Sequence, residues 1–179
     1  MKLPLLLSIL LLSVQLRADE AKQLVLPDSR IILSTPDGWN IKKGFGDTSI
    51  YPPTQPAHSS QSRIHLVTLR KDAESLEAAV KAEIDSITER SPKSSNARGD
   101  YKGSVPVKTA SGIVGLRADF YTEQTINGAT VKRYQIVKYY FRDEANKIVK
   151  VCAHIYGDED RMKMFESTIL DNLTTKANN

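Results

Sequence analysis

Residues 113–142 read IVGLRADFYTEQTINGATVKRYQIVKYYFR, two long β-rich runs that flank Asn127-Gly128. A two-residue type I′ turn needs positive φ at both central residues, and Asn-Gly between such runs is typical of a β-hairpin. The turn places Ile126 opposite Ala129. The same register predicts three further pairs: Glu123 with Lys132, Tyr121 with Tyr134, and Ala118 with Val137. Because these include an opposite-charge pair and an aromatic pair, the register itself favours the hairpin.

The residues that follow the hairpin predict a third strand and a helix. Residues 147–156 are rich in Val, Ile and Tyr, which is typical of a strand. Residues 160–173 carry apolar side chains at helical spacing on one stripe: Met162, Phe165, Ile169 and Leu173. The C-terminal half therefore predicts a three-stranded meander closed by a helix.

The N-terminal half predicts shorter strands, a turn and one helix. Strands are expected at residues 30–34, 39–43, 48–51 and 63–69, with a turn at Thr35-Pro36-Asp37-Gly38. A helix is expected to begin after Ser75, whose hydroxyl suits an N-cap. Its apolar stripe comprises Leu76, Ala79, Val80, Ile84 and Ile87. The polar segments 52–62 and 91–103 predict long loops, which in a compact domain are either functional or unstructured.

Together these elements predict an α+β fold in one domain over residues 29–174. An antiparallel sheet of about six strands is expected, and because its strands are apolar on parts of both faces, helices should cover both sides. Residues 19–28 are interpreted as a polar leader and residues 175–179 as a disordered tail.

The N-terminus predicts a cleavable secretory signal peptide over residues 1–18. Lys2 precedes an apolar run, and Ala18 offers a small residue at the cleavage point. The run is about 10 to 12 residues long, too short to cross a hydrocarbon layer of about 30 Å. A retained anchor is the alternative, because Arg17 follows the run directly. We expect export to the periplasm or the extracellular space of a bacterium, with no membrane span after cleavage.

The charge balance argues against nucleic-acid binding. The chain has 25 basic and 21 acidic residues, and two of the basic residues, Lys2 and Arg17, belong to the predicted leader. Basic residues are not interleaved with aromatics in the way that a stacking platform requires. We therefore expect a protein or envelope component as the partner; the oligomeric state is left open.

The element order resembles a known fold family. The order runs from a short strand through Thr35-Pro36-Asp37-Gly38-Trp39 to a helix opening Ser75-Leu76-Glu77, then a long strand after Gly115, the Asn-Gly hairpin and a final helix. This resembles the PsbP-like fold, shared by the extrinsic photosystem II protein PsbP and exported bacterial relatives such as the DcrB-like proteins. The resemblance covers roughly residues 27–174 and implies a mostly non-enzymatic accessory or binding module. It carries over no functional residue and no cofactor.

The histidines are candidate metal ligands. His58 lies in the polar loop 52–62, whereas His65 and His154 lie in predicted strands that could be neighbours in the sheet. Two imidazoles and a carboxylate could hold Zn²⁺ or Cu²⁺, but no His-x-His or His-Glu-x-x-His spacing occurs. Structural, hydrogen-bonded histidines are the favoured interpretation, with a metal-binding protein using His65 and His154 as an alternative.

Cys152 is the single cysteine, so no internal disulfide can form. In a strand it shares a face with His154 because side chains alternate. A small hydrolase or thiol enzyme that uses this pair is the second alternative, against a buried and inert thiol. The acidic run Asp158-Glu159-Asp160 is interpreted as a helix start rather than a Ca²⁺ site.

The hypothesis that the residues favour is an exported, non-catalytic accessory or binding protein of the cell envelope. No catalytic set, cofactor site or defined metal site is predicted. Lys93 and Arg98, in the loop 91–103, are the candidate partner contacts, because their charges suit an acidic partner or a polyanionic surface. The aromatic residues of the hairpin are interpreted as core filling, with an exposed docking patch as the alternative.

Overall fold

A computed structural model describes residues 22–44, 47–53, 62–67, 69, 73–89, 100–126, 129–156 and 159–176. The predicted signal peptide lies outside these residues. The described residues form these elements in chain order: β1 Gln23–Val25, β2 Ile31–Ser34, β3 Asn40–Lys43, β4 Thr48–Tyr51, β5 Arg63–Val67, α1 Leu76–Glu89, β6 Asp100–Lys108, β7 Val114–Ile126, β8 Ala129–Arg142, β9 Ile148–Tyr156, α2 Glu159–Asn172 and β10 Leu173–Thr175. Neither helix in the described part of the chain is long and apolar enough to cross a membrane.

The strands form two antiparallel sheets, which confirms the predicted α+β class. The larger sheet has seven strands in the order β3-β4-β5-β9-β8-β7-β6, where about six were expected. The smaller sheet has three strands in the order β1-β2-β10. The hairpin β7–β8 and the following strand β9 lie within the larger sheet, so the meander predicted from residues 113–156 organises its central part.

The hairpin is confirmed, but its predicted register holds only beside the turn. Ile126 opposes Ala129, and the register then shifts by one residue between Thr125 and Gln124. The predicted pairs beyond that point are therefore wrong. Glu123 opposes Arg133, Tyr121 opposes Gln135 and Ala118 opposes Lys138. One extra residue in a strand, a β-bulge, displaces all later pairs, and turn chemistry does not report it.

Strand β6 is the main element that the sequence did not predict. Its first residues were assigned to the loop 91–103, and Gly103 and Pro106 within it are typical strand breakers. The strand lies at the edge of the sheet and pairs only with β7. An edge tolerates Pro106 because a strand needs backbone donors on one side only.

The ends of the domain extend beyond the predicted bounds. The segment interpreted as a polar leader contains β1, and Leu26 within it is fully buried. At the other end, Thr175 belongs to β10 and the Lys176 amide donates to the Arg30 carbonyl at 2.8 Å. Short strands at both termini therefore contribute to the three-stranded sheet.

Strand β8 contributes to two separate apolar clusters. Val137, Tyr139 and Phe141 belong to a cluster that also contains Phe165 and Ile169 of α2. The alternate residues belong to a second cluster: Ile136 and Tyr140 pack there with Ala79 and Val80 of α1, Leu116, Ala118 and Phe120. Because side chains alternate along a strand, the two clusters take opposite sides of β8.

Two local predictions are confirmed by the structure. Ser75 caps α1, since the Ala78 amide donates to its Oγ at 3.0 Å. In the predicted Pro-Asp-Gly turn, Gly38 has φ +77° and the Trp39 amide donates to the Pro36 carbonyl. The turn directs Trp39 onto Phe165 of α2, with ring centroids 5.6 Å apart.

Candidate functional site

Polar side chains cluster on one face of the central strands β5, β9 and β8. Cross-strand pairing aligns them in rows: His65 opposes Cys152, which opposes Lys138, and the next row contains Lys150 and Tyr140. Residues directly opposite each other share a face. We call the residues His65, Lys138, Tyr140, Lys150, Cys152 and His154 the polar face. Helix α1 packs beside it, against β7 and β8.

A carboxylate from α1 bridges the two lysines of the polar face. Lys138 Nζ donates to Glu83 Oε1 at 2.6 Å, and Lys150 Nζ donates to Glu83 Oε2 at 2.9 Å. The lysine side chains are only 9% and 12% exposed. Burial by itself would raise the pKa of Glu83, but the charges and hydrogen bonds of Lys138 and then Lys150 outweigh it and lower the pKa to about 2.

The bridge fixes α1 to the sheet by charge as well as by apolar contact. Lys138 Nζ also lies 4.5 Å from the centroid of the Phe120 ring, within reach of a cation–π contact. Two ammonium groups share one carboxylate, so the bridge carries one net positive charge. This charge is held between a helix and a sheet, where solvent screens it little.

Cys152 and His154 share this face, as the strand period predicted. Burial raises the pKa of the Cys152 thiol, although Lys150 and Lys138 act in the opposite direction. Burial, followed by the charges of Arg63, His65 and Lys138, lowers the pKa of His154 to about 3. Both groups are therefore neutral near pH 7, whereas a Cys–His nucleophile works through a thiolate.

His65 and His154 are brought together, and their ring centroids lie 5.8 Å apart at an interplanar angle of 76°. His65 Nε2 is hydrogen-bonded to Asp47 Oδ2 at 2.8 Å. Within the part of the chain that the structure describes, no group of three or more His, Cys, Asp or Glu side chains is arranged to hold a metal ion. His65 is thus hydrogen-bonded to a carboxylate and lies beside His154.

The other candidate residues fall in two groups. Lys93, Arg98, His58 and Asp158 lie outside the described residues, and Glu159 and Asp160 begin α2. Four described aromatics of the hairpin are core residues, since Phe120, Tyr139, Tyr140 and Phe141 are at most 1% exposed, whereas Tyr121 is only partly buried. Core filling, rather than an exposed patch, is confirmed for these four.

Sequence reasoning missed Glu83, Lys138 and Lys150. A signal was available in part, because Lys138 and Lys150 are single charges inside apolar strand runs, at positions that alternation assigns to a buried face. Their common partner could not be found this way. Glu83 is one of several acidic residues of α1, and only the docking of the helix selects it.

A second ionic network lies on the other side of β7. Arg117 makes a two-point contact with Asp119, at 2.8 and 3.1 Å, and donates to Glu166 of α2 at 2.8 Å. The two helices are thus each joined to the sheet by a partly buried ion network.

No protein-family model matches this chain, and no curated protein matches it.

Proposed function

We propose that this chain is an exported, non-catalytic accessory or binding protein of the cell envelope, which contacts another protein or an envelope component. One observation carries the non-catalytic part of this proposal, whereas export rests on the signal peptide predicted over residues 1–18. The reactive side chains of the polar face, Cys152 and His154, are held neutral and largely buried, and its charged side chains are used to attach α1. Such an arrangement serves a stable scaffold better than a reaction centre, because a buried, protonated thiol is inert and the thiolate is the nucleophile.

The proposal includes a PsbP-like architecture with a helix on each face of the larger sheet. The division of β8 between two clusters, one with α1 and the other with α2, supports this arrangement. In such a scaffold both faces of the central strands are occupied. Recognition would then fall to loops and edges, which is where connecting segments usually carry function.

The alternative, a thiol enzyme using Cys152 and His154, predicts a reactive thiol and can be tested directly. We expect Cys152 to react with iodoacetamide at least about 10³-fold more slowly in native buffer than in denaturant, because a core strand must open first. The matched control is Glu144→Cys in a Cys152→Ala background, which places the same group on an exposed loop residue. A native Cys152 that reacts as fast as this control would favour the enzyme and contradict the proposal.

The proposed partner contact through Lys93 and Arg98 has its own test. Tagged protein is cross-linked in envelope extracts, and the captured species is quantified at low and at physiological salt. Replacing both residues with Ala should weaken capture and flatten its salt dependence, because rim charges act mainly through screened attraction. The melting temperature should stay within about 2 °C, because the proposal gives these two residues a role in binding and none in the core.

The matched control for this experiment is the double variant Lys43→Ala and Lys147→Ala. Both lysines are exposed, and their removal changes the net charge by the same amount. If the control and the Lys93/Arg98 variant capture equally well at both salt concentrations, the loop has no role in recognition.

A further inference from the structure

The sulfur of Met162 lies against the ion network that joins α2 to β7. Arg117 Nη2 donates to Met162 Sδ at 3.8 Å, in addition to its contact with Asp119 Oδ2 at 3.1 Å. Met162 is one of two methionines in α2, and it packs at the margin of the apolar cluster that contains Phe165. Its thioether therefore combines a contact with a cation and a position that is only partly buried.

The Arg117 guanidinium offers this sulfur a stronger donor than a thioether can use. The guanidinium has five N–H groups, and three of them donate to carboxylate oxygens of Asp119 and Glu166. The N–H group that reaches Met162 meets a weak acceptor, because a thioether sulfur accepts hydrogen bonds poorly. An oxygen atom bonded to that sulfur would accept from the same charged donor much more strongly.

The network is open enough for a small solute to reach it. The side chains of Asp119 and Glu166 are 29% and 27% exposed, and Met162 is itself partly exposed. Hydrogen peroxide is hardly larger than water, so it can approach groups that solvent reaches. Methionine is one of the side chains that such an oxidant modifies, and the product is a polar sulfoxide.

We propose that Met162 is an oxidation site, at which hydrogen peroxide converts the thioether into a sulfoxide whose oxygen accepts a hydrogen bond from Arg117. A lone pair of Sδ attacks one peroxide oxygen, so that the S–O bond forms while the O–O bond breaks. The sulfur is oxidised by two electrons and the peroxide is reduced. The leaving hydroxide takes the proton of the transferred oxygen and departs as water. The guanidinium stabilises the negative charge that develops on the leaving oxygen.

The contact with Arg117 distinguishes Met162 from an ordinary core methionine. A sulfoxide in an apolar core disrupts packing, because a polar oxygen enters a site without a partner. At Met162 the oxygen takes over the role of the sulfur as the acceptor for Arg117 Nη2. The link between α2 and β7 is therefore kept after oxidation. Because it needs only these contacts, the site is independent of the proposed function.

The rate of oxidation tests the site, with Met164 as the internal reference. Met164 lies two residues away on the same helix and is 39% exposed. In dilute hydrogen peroxide, followed by fragmentation mass spectrometry, Met162 should form sulfoxide at least as fast as Met164, although it is less exposed. Arg117→Lys should slow Met162 about tenfold and leave Met164 unchanged, because an ammonium lacks the planar fork that holds Asp119 and Met162 together. A native Met162 slower than Met164, or a Met162 rate that Arg117→Lys leaves unchanged, would overturn the proposal.

The product is tested with Arg117 in place, so that this result does not depend on how well Arg117→Lys folds. Gln at residue 162 supplies an amide oxygen that mimics the sulfoxide oxygen, whereas Leu supplies no acceptor. Met162→Gln should therefore melt at or above the temperature of Met162→Leu, the reverse of the order usual at a partly buried apolar position. The same two substitutions at Met164 are the matched control and should show no advantage of Gln. A lower melting temperature for Met162→Gln than for Met162→Leu would show that Arg117 holds no oxygen there, which contradicts the proposal.

Discussion

Glu83→Gln is expected to lower the free energy of unfolding by about 3 kcal/mol, because removing one member of a buried ion network leaves the other charges uncompensated. Gln keeps the shape of the side chain and one acceptor oxygen, but two ammonium groups then face each other without a carboxylate between them. Urea unfolding at pH 7, monitored by the fluorescence of Trp39, measures the loss. Native far-UV circular dichroism of the variant would show that the fold itself is retained.

Two comparison variants distinguish the contribution of the Lys138–Glu83–Lys150 bridge to stability from that of a surface ion pair. Asp85→Asn breaks an exposed pair with Lys81 on the same helix and should leave the free energy of unfolding nearly unchanged. The triple variant Glu83→Leu, Lys138→Met, Lys150→Met replaces the whole bridge by apolar groups and should recover most of the stability that Glu83→Gln loses. Losses of equal size for Glu83→Gln and Asp85→Asn would show that the bridge contributes no more than a surface pair.

Acid should destabilise the protein from about pH 6.5 downward, and His154 should account for the first part of this loss. The pKa of His154 is lowered to about 3 in the folded state, from an ordinary value of 6.5. Between these values the unfolded chain binds a proton that the folded chain does not. The free energy of unfolding should therefore fall by about 1.4 kcal/mol per pH unit as the pH decreases through this range.

Protonation of Glu83 lowers the free energy of unfolding further at lower pH. Its pKa is lowered from 4.5 to about 2, so its stabilisation is complete above pH 4.5 and disappears as the pH falls toward 2. The two groups thus act with the same sign but over different ranges. Of these two groups, only His154 contributes between pH 6.5 and 4.5, which separates the two effects.

The variant His154→Gln cannot titrate and tests this assignment. Its free energy of unfolding, measured by urea titration at half-unit steps, should be nearly flat between pH 6.5 and 4.5, apart from the other groups common to both proteins. Below pH 4.5 its slope should steepen as Glu83 begins to act. Parallel curves for the wild type and His154→Gln from pH 7.5 to 4.5 would refute the role of His154.

Local sequence signals accounted for most of the elements. The Ser75 cap, the Pro36-Asp37-Gly38 turn and the apolar stripe of α1 depend on residues that are close along the chain, so each could be predicted from a short window. Strand β6 could not, because Gly103 and Pro106 disfavour strands in general. An edge position next to β7 makes them acceptable, and that position is a property of the whole sheet.

In the candidate site, too, some features could be predicted from the sequence and others could not. Alternation along a strand placed Cys152 and His154 on one face. The sequence put His65 and His154 in strands that could be neighbours, and only the structure shows that these strands pair. The protonation states of these residues were not predictable, because burial in the folded protein is their largest determinant. Whether Cys152 and His154 can act as a catalytic pair depends on their protonation states more than on their spacing along the strand.

The sequence by itself therefore determined the α+β class, the hairpin at Asn127-Gly128, both helices and the shared face of Cys152 and His154. Each follows from interactions within a few residues, where propensity and side-chain period act directly. The tertiary structure alone decided the one-residue register shift in the hairpin, the edge strand β6 and the choice of Glu83 as the partner of Lys138 and Lys150. These depend on contacts between residues far apart in the chain, which are selected by how the helix and the strands fit together and not by any local pattern.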